Sequence, residues 1–148
     1  MRDYNAIREP VVRWASEHYQ IIQNTGSSLS DEGLALARRV GVLEPERIRV
    51  LLVDEVPIHN DPLIADLAKS VGMLDGTIEG ITFGHSIYIA RGRESARLYS
   101  HEFRHVYQYE KYGSIPAFMD EYLHQVLVLG YSDAPLERDA QAFEVERV

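Results

Sequence analysis

The chain has no cysteine. That absence excludes disulfides, thiolate zinc sites, iron–sulfur clusters and cysteine nucleophiles together, so any metal must be held by nitrogen and oxygen. Nor is there an apolar run of the length that a membrane span or signal peptide needs. The opening stretch MRDYNAIREPVVRWASEHYQ carries charges throughout. No membrane partner and a cytoplasmic location are the expectations. Positive charge is in deficit, with Lys+Arg 15 against Asp+Glu 23 and a formal net charge of -8. A field of that sign repels phosphate backbones, which argues against nucleic acid as a partner. Internal repeats, low-complexity tracts and linkers are also missing, so the 148 residues read as one domain, 1–148.

What remains is patterned like an ordinary folded protein. Residues 4–23 read as a helix, with Ile7, Val11, Trp14, Tyr19 and Ile22 near helical spacing, and Pro10 marking a late start or a kink. Ser30 before Asp31 and Glu32 is an N-cap signal for a short helix through Arg39. Residues 47–57, RIRVLLVDEVP, have the aliphatic centre of a buried strand. Asp61 and Pro62 then open another helix. The alternation in TIEGITFGHSIYIARG around Gly84 and His85 predicts a hairpin with His85 as a turn residue. Helices are expected at 94–112, 116–129 and 136–147, separated by Gly113, Gly130 and Pro135. The order is a helical part (1–45), a strand-containing part (46–92) and a second helical part (93–148). It implies an α+β fold with a small twisted sheet.

One stretch carries chemistry. In HEFRHVYQYE, His101 and His105 are four residues apart, about 40° around a helix and one turn along it, so both imidazoles can reach one ion. Glu102 stands beside them, placed to face a water on that ion without being a ligand. This composition gives an HExxH by chance in roughly 2% of chains. Tyr99, Phe103, Val106 and Tyr107 form the apolar stripe a core helix needs, while Ser100, Arg104, Gln108 and Lys111 read as a polar flank. Zn2+ needs a third protein ligand, and Glu110, Asp120, Glu121, His124, Asp133, Glu137 and Asp139 follow the motif. Glu110 is on the wrong face of its helix. Glu137 opens the last helix beside a stripe of Leu136, Ala140 and Phe143, and Glu121 is the next alternative.

GITFGHSIYI, HEFRHVYQYEKYG and PLERDAQAFE together resemble the zincin metallopeptidases, specifically the small bacterial gluzincins, in which a glutamate on a later helix joins HExxH. That resemblance implies a zincin-like fold with an active-site helix and a C-terminal ligand helix. It assigns His101, His105 and Glu137 to zinc and Glu102 as general base, with a peptide or protein as substrate. It also implies an edge strand against which the peptide lies, here Ile87 to Ala90, and an oxyanion donor among Tyr109, Tyr112, Tyr131 and His124. The thermolysin-like Glu-x-x-x-Asp pattern is departed from, because position 141 is Gln. The sequence stops soon after Glu137, so a second copy or a partner protein is expected to complete the cleft. Two alternatives use the same residues. One is a catalytically silent metal-binding interaction module, and the other is an amidohydrolase acting on a small molecule.

Overall fold

The computed structural model describes residues 4–74 and 76–146. Helix α1 (Tyr4–Thr25) buries Ile7, Val11, Ala15 and Ile22 along one stripe. Pro10 lies inside it and so marks no late start. Helix α2 (Asp31–Arg39) begins where Ser30 Oγ accepts the Gly33 N–H at 3.1 Å. Strand β1 (Arg49–Val53) follows a single 3-10 turn, and α3 (Pro62–Ser70) starts where the Asp61 carboxylate accepts the Leu63 N–H at 2.9 Å. Strands β2 (Gly80–Phe83) and β3 (Ser86–Ala90) form the expected hairpin. Gly84, at φ +63°, supplies the positive φ that the first residue of a type II′ loop requires. Helices α4 (Ala96–Tyr112), α5 (Ile115–Leu129) and α6 (Pro135–Ala142) complete the chain. Ser95 and Ser114 cap α4 and α5 through the Leu98 and Ala117 N–H groups.

Six helices and a three-stranded mixed sheet among the described residues make an α+β structure. The strand order is β1-β3-β2, with β3 parallel to β1 and antiparallel to β2. Every residue of β3 is buried, and its two faces serve two cores. Ile87 and Ile89 pack with Leu36 of α2, with Val40 just past it, and with Leu98, Phe103 and Val106 of α4. Tyr88 and Ala90 join α1 and the Phe118 and Met119 side chains of α5. Each large apolar side chain so buried is worth about 1.5–3 kcal/mol. The sheet and α4 are therefore the rigid parts on which a site can be mounted.

Four expectations are corrected. The strand within 47–57 is shorter and only partly buried, with Leu52 37% exposed, because β1 is an outer strand. Ile87 to Ala90 is no edge either, since β1 closes the side of β3 that a lone hairpin would leave open. The free edge next to α4 is β2. Third, the last helix ends at Ala142, not 147, and position 147 lies outside the described residues. Beyond that helix the Val145 N–H donates to Ser100 Oγ on α4 at 2.9 Å, a tertiary bond in place of a helical one. Finally, Ser100 and Gln108 are no solvated flank. Both are buried, as is His105, because α4 is covered by the sheet, α2, α5 and α6.

Candidate metal centre

Helix α4 presents His101 and His105 one turn apart, with ring centroids 4.9 Å apart and planes at 76°. Helix α6 brings Glu137 across to them. His101 Nε2 lies 3.2 Å from Glu137 Oε1, and His105 Nε2 lies 3.2 Å from Glu137 Oε2. Ligand atoms of the three side chains all fall within 4.8 Å of one another. A tetrahedral zinc with bonds of about 2.0–2.1 Å has ligand-to-ligand edges of about 3.3 Å, so two imidazole nitrogens and a carboxylate at this spacing suit the ion. Glu102 is buried beside them. The Thr82 hydroxyl on β2 donates to its Oε1 at 2.7 Å, which holds the carboxylate against the sheet edge. Gly80 permits this approach, because a Cβ there would sit 3.3 Å from Glu102 Cγ and 3.2 Å from the Tyr88 carbonyl oxygen.

The outer nitrogens of both rings are engaged. His101 Nδ1 lies 2.8 Å from Glu144 Oε2, and His105 Nδ1 lies 2.8 Å from Gln108 Oε1. The Gln108 amide nitrogen donates to the Leu136 carbonyl and to Asp139 Oδ2, both at 2.9 Å, so its oxygen must face His105. Arg104 holds Asp139 in turn, stacked between the rings of Tyr107 and Phe143. Tyr122, partly buried on α5, donates its hydroxyl to Glu137 Oε2 at 2.8 Å. In the metal-free protein, burial opposes a charged His105. The Glu137 carboxylate outweighs burial by charge and by hydrogen bond, and raises the ring to about 9. His101 is raised too, with burial again opposing and the Glu137 bond and Glu102 charge prevailing. Burial also opposes a charged Glu137, yet the two imidazoles hold its carboxyl well below the usual range. Any metal ion at this cluster would have to compete with protons for the same three side chains.

These residues lie at one end of a cavity of about 640 Å³ that runs to Trp14 on α1 and to Ile64, Leu67 and Ala68 on α3. Its walls are mainly apolar, and β2 forms one side. The Ala90 N–H donates to the Glu79 carbonyl, and the alternation of bonded pairs then directs the backbone groups of Gly80 and Thr82 away from β3. Tyr109 donates to the Thr82 carbonyl at 3.1 Å.

The other candidate ligands are placed elsewhere. Asp120 pairs with Arg8, Glu121 accepts from Gln125 at 3.0 Å, His124 is exposed, and Asp133 pairs with Arg138. Glu110 accepts the Leu43 and Glu44 N–H groups at 2.8 and 2.9 Å and meets His85 Nε2 at 2.9 Å. Glu44, His85 and Glu110 also form a compact group. The Glu110 oxygens are already occupied, however, so this is a clasp between the hairpin loop and the end of α4. His85 is therefore a buried partner rather than a plain turn residue. Of the oxyanion candidates, His124 and Tyr112 are exposed, whereas Tyr131 lines the cavity. Burial, then the Glu137 and Glu102 charges, push the Tyr131 hydroxyl up and keep it protonated. Sequence reasoning missed Thr82 and Tyr122. Gln108, three residues after His105, was the one partner that helical spacing could have flagged.

Fold and site together define an α+β protein with a largely buried His/His/Glu cluster lining an apolar cavity. Residues 51–113 match the family model described as the eCIS core domain. The matched stretch runs from β1 to just past α4, so it contains His101, Glu102 and His105 but not Glu137. No curated protein and no solved structure matches the chain. Among the described residues no helix is long and apolar enough to cross a membrane.

Proposed function

We propose that the chain is a zinc-dependent hydrolase of the gluzincin kind, cleaving peptide bonds. The observation that carries this reading is the convergence of His101, His105 and Glu137 within 4.8 Å at the end of a cavity that Glu102 also lines. His101, His105 and Glu137 would hold Zn2+, which when bound supplies Lewis acidity and lowers the pKa of water at an open coordination position. Glu102, fixed by Thr82, takes the proton of the attacking water and returns it to the leaving nitrogen. Tyr131 is the candidate donor to the carbonyl oxygen as charge develops there. The free edge of β2 offers the outward backbone groups of Gly80 and the N–H of Thr82 for an added peptide strand, the Thr82 carbonyl being taken by Tyr109. The apolar cavity beyond suits a large aliphatic or aromatic side chain.

A structural zinc site needs no buried base and leaves no open position, so Glu102 weighs against the silent-module alternative. The eCIS core match favours a setting among partner proteins of an extracellular contractile injection system. The test is zinc content in untagged protein purified without chelator, beside Glu137→Ala, followed by a peptide-library digest. One zinc per chain, lost in the variant, with cleavage of apolar peptides, is the expected result. A parent that takes up no zinc overturns the reading.

A further inference from the structure

Resting on the hydrolase reading above, we propose that the substrate is an N-acylated peptide whose long unbranched aliphatic chain fills the cavity beyond the metal cluster. The bond cleaved is the amide that joins chain and peptide. The cavity, of about 640 Å³, exceeds any ordinary packing defect. Protein interiors are close-packed, and voids larger than a water are few. At water's liquid share of about 30 Å³ per molecule, this one equals about twenty waters. Three helices face it, with Val11 and Trp14 of α1, Ile64 and Ala68 of α3, and Leu123 and Val126 of α5. Water finds few partners on such walls, and an empty space costs the lining atoms their dispersion contacts. An apolar guest restores them.

Charge is confined to one end. Among the described residues, the carboxylates and the guanidinium that line the cavity are those of Glu79, Arg97, Glu102, Glu137 and Glu144. All belong to the metal cluster or connect to it. Arg97 lies 3.0 Å from Glu79 and 3.7 Å from Glu144, and Glu144 lies 2.8 Å from His101. At the other end, His59 beside Trp14 has both ring nitrogens engaged, with the Asp61 N–H at 3.0 Å and the Pro10 carbonyl at 3.3 Å. The guest that suits this gradient has its polar group at the cluster and an apolar tail between the helices.

A peptide does not suit the inner space. Each buried residue adds an N–H and a C=O that need partners. The edge of β2 offers them through Gly80 and the Thr82 N–H, but the walls beyond are mainly helices, whose backbone groups are bonded within themselves. One amino-acid side chain reaching past β2 fills only part of a volume within the range of about 300–1,000 Å³ that encloses whole ligands. A hydrocarbon chain carries no group that needs a partner. With that chain lodged, its carbonyl carbon lies at the cluster and the peptide runs along β2. The water oxygen bonds to this carbon, the carbon–nitrogen bond breaks, and one water proton passes through Glu102 to the peptide nitrogen. The new acid gives its proton to the same amine, leaving a long-chain carboxylate and a peptide ammonium group.

Trp14 is the only tryptophan and lines the cavity, so its emission reports occupancy without any metal. The full chain, chelator-treated and zinc-loaded, is titrated with one peptide carrying acetyl, octanoyl or palmitoyl on its N-terminus, below the micelle concentration. The expected result is a change in Trp14 emission, with affinity rising by up to about fourfold per methylene. The zinc-loaded form should also release fatty acid and free peptide, read by mass spectrometry. Ala68→Phe, which narrows the cavity at α3, should move the preferred length to shorter chains. Affinity independent of chain length overturns the proposal even if Ala68→Phe does not fold. So does palmitoyl binding that Ala68→Phe leaves unchanged. A zinc-loaded protein that cuts unacylated peptides and leaves the acyl amide intact overturns the proposal but keeps the hydrolase reading. Length-dependent binding by a chain that takes up no zinc removes the hydrolase reading, and the substrate with it.

Discussion

Neighbouring residues on α4 face different tasks, and single substitutions separate them. Glu102 lies beside the three candidate ligands, and its carboxylate accepts from the Thr82 hydroxyl, so Glu102→Gln preserves its volume and its place against β2. Zinc content and melting temperature should stay near those of the parent, while peptide turnover falls by about 10²–10⁴-fold or more. Parallel metal analysis and hydrolysis assays check this, and an active Glu102→Gln would remove the base from the mechanism. Tyr122 acts on the other side, through Glu137. Burial and the Glu137 charge push its hydroxyl well up, so it is a donor at every ordinary pH. Tyr122→Phe removes a hydrogen bond to a buried carboxylate, a loss of about 1.5–3 kcal/mol in stability. Denaturant unfolding measures it. An unchanged midpoint would mean that Glu137 finds another donor.

Among the helices, α6 depends most on its neighbours. Its N-cap is Ala134, which offers no side-chain acceptor, and the Leu136 N–H donates instead to Gln125 Oε1 of α5 at 2.8 Å. Gln125→Ala leaves a buried N–H without its acceptor, next to Glu137. A stability loss of about 1–3 kcal/mol is expected, with weaker zinc binding as α6 shifts. Chemical denaturation and chelator competition report the two effects separately. The self-capped helices show the contrast. Ser30, Asp61, Ser95 and Ser114 each accept a bond from the first turn that follows, so local chemistry alone locates α2, α3, α4 and α5. The hairpin was equally legible, because Gly84 meets the requirement of its loop. The end of α6 and the central place of β3 were not. The first depends on a bond from Val145 to Ser100, and the second on parallel pairing with a strand more than thirty residues earlier. Neither leaves a periodic trace in the sequence.

At the scale of the whole molecule, the candidate site divides in the same way. His101, Glu102 and His105 sit within five residues and are legible from spacing, whereas Thr82, Tyr122 and Glu144 reach them from a strand, another helix and the last segment. Glu137 on α6 must also dock against α4 before the cluster exists, so metal binding at the proposed site would be coupled to folding. That coupling gives a pH dependence whose sign can be worked out. In the metal-free protein His105 titrates near about 9, against about 6.5 when unfolded. Its pair with Glu137 therefore contributes fully below about pH 6.5, and the contribution is lost as pH rises through about 9. Glu137 is depressed instead, so its share is present above its unfolded pKa of about 4.5 and is lost as pH falls through the lower folded value. On the proposed reading zinc needs neutral imidazoles, so its binding should displace these protons and tighten as pH rises toward 9. Melting temperatures of chelator-treated protein should then fall between about pH 6.5 and 9, while those of zinc-loaded protein hold or rise, and the gap between them should widen. Calorimetry in buffers of different ionisation enthalpy should show about one proton or more released per zinc at pH 7.5. Parallel melting curves across that window, or zinc binding without proton release, would place the ion away from His105 and Glu137.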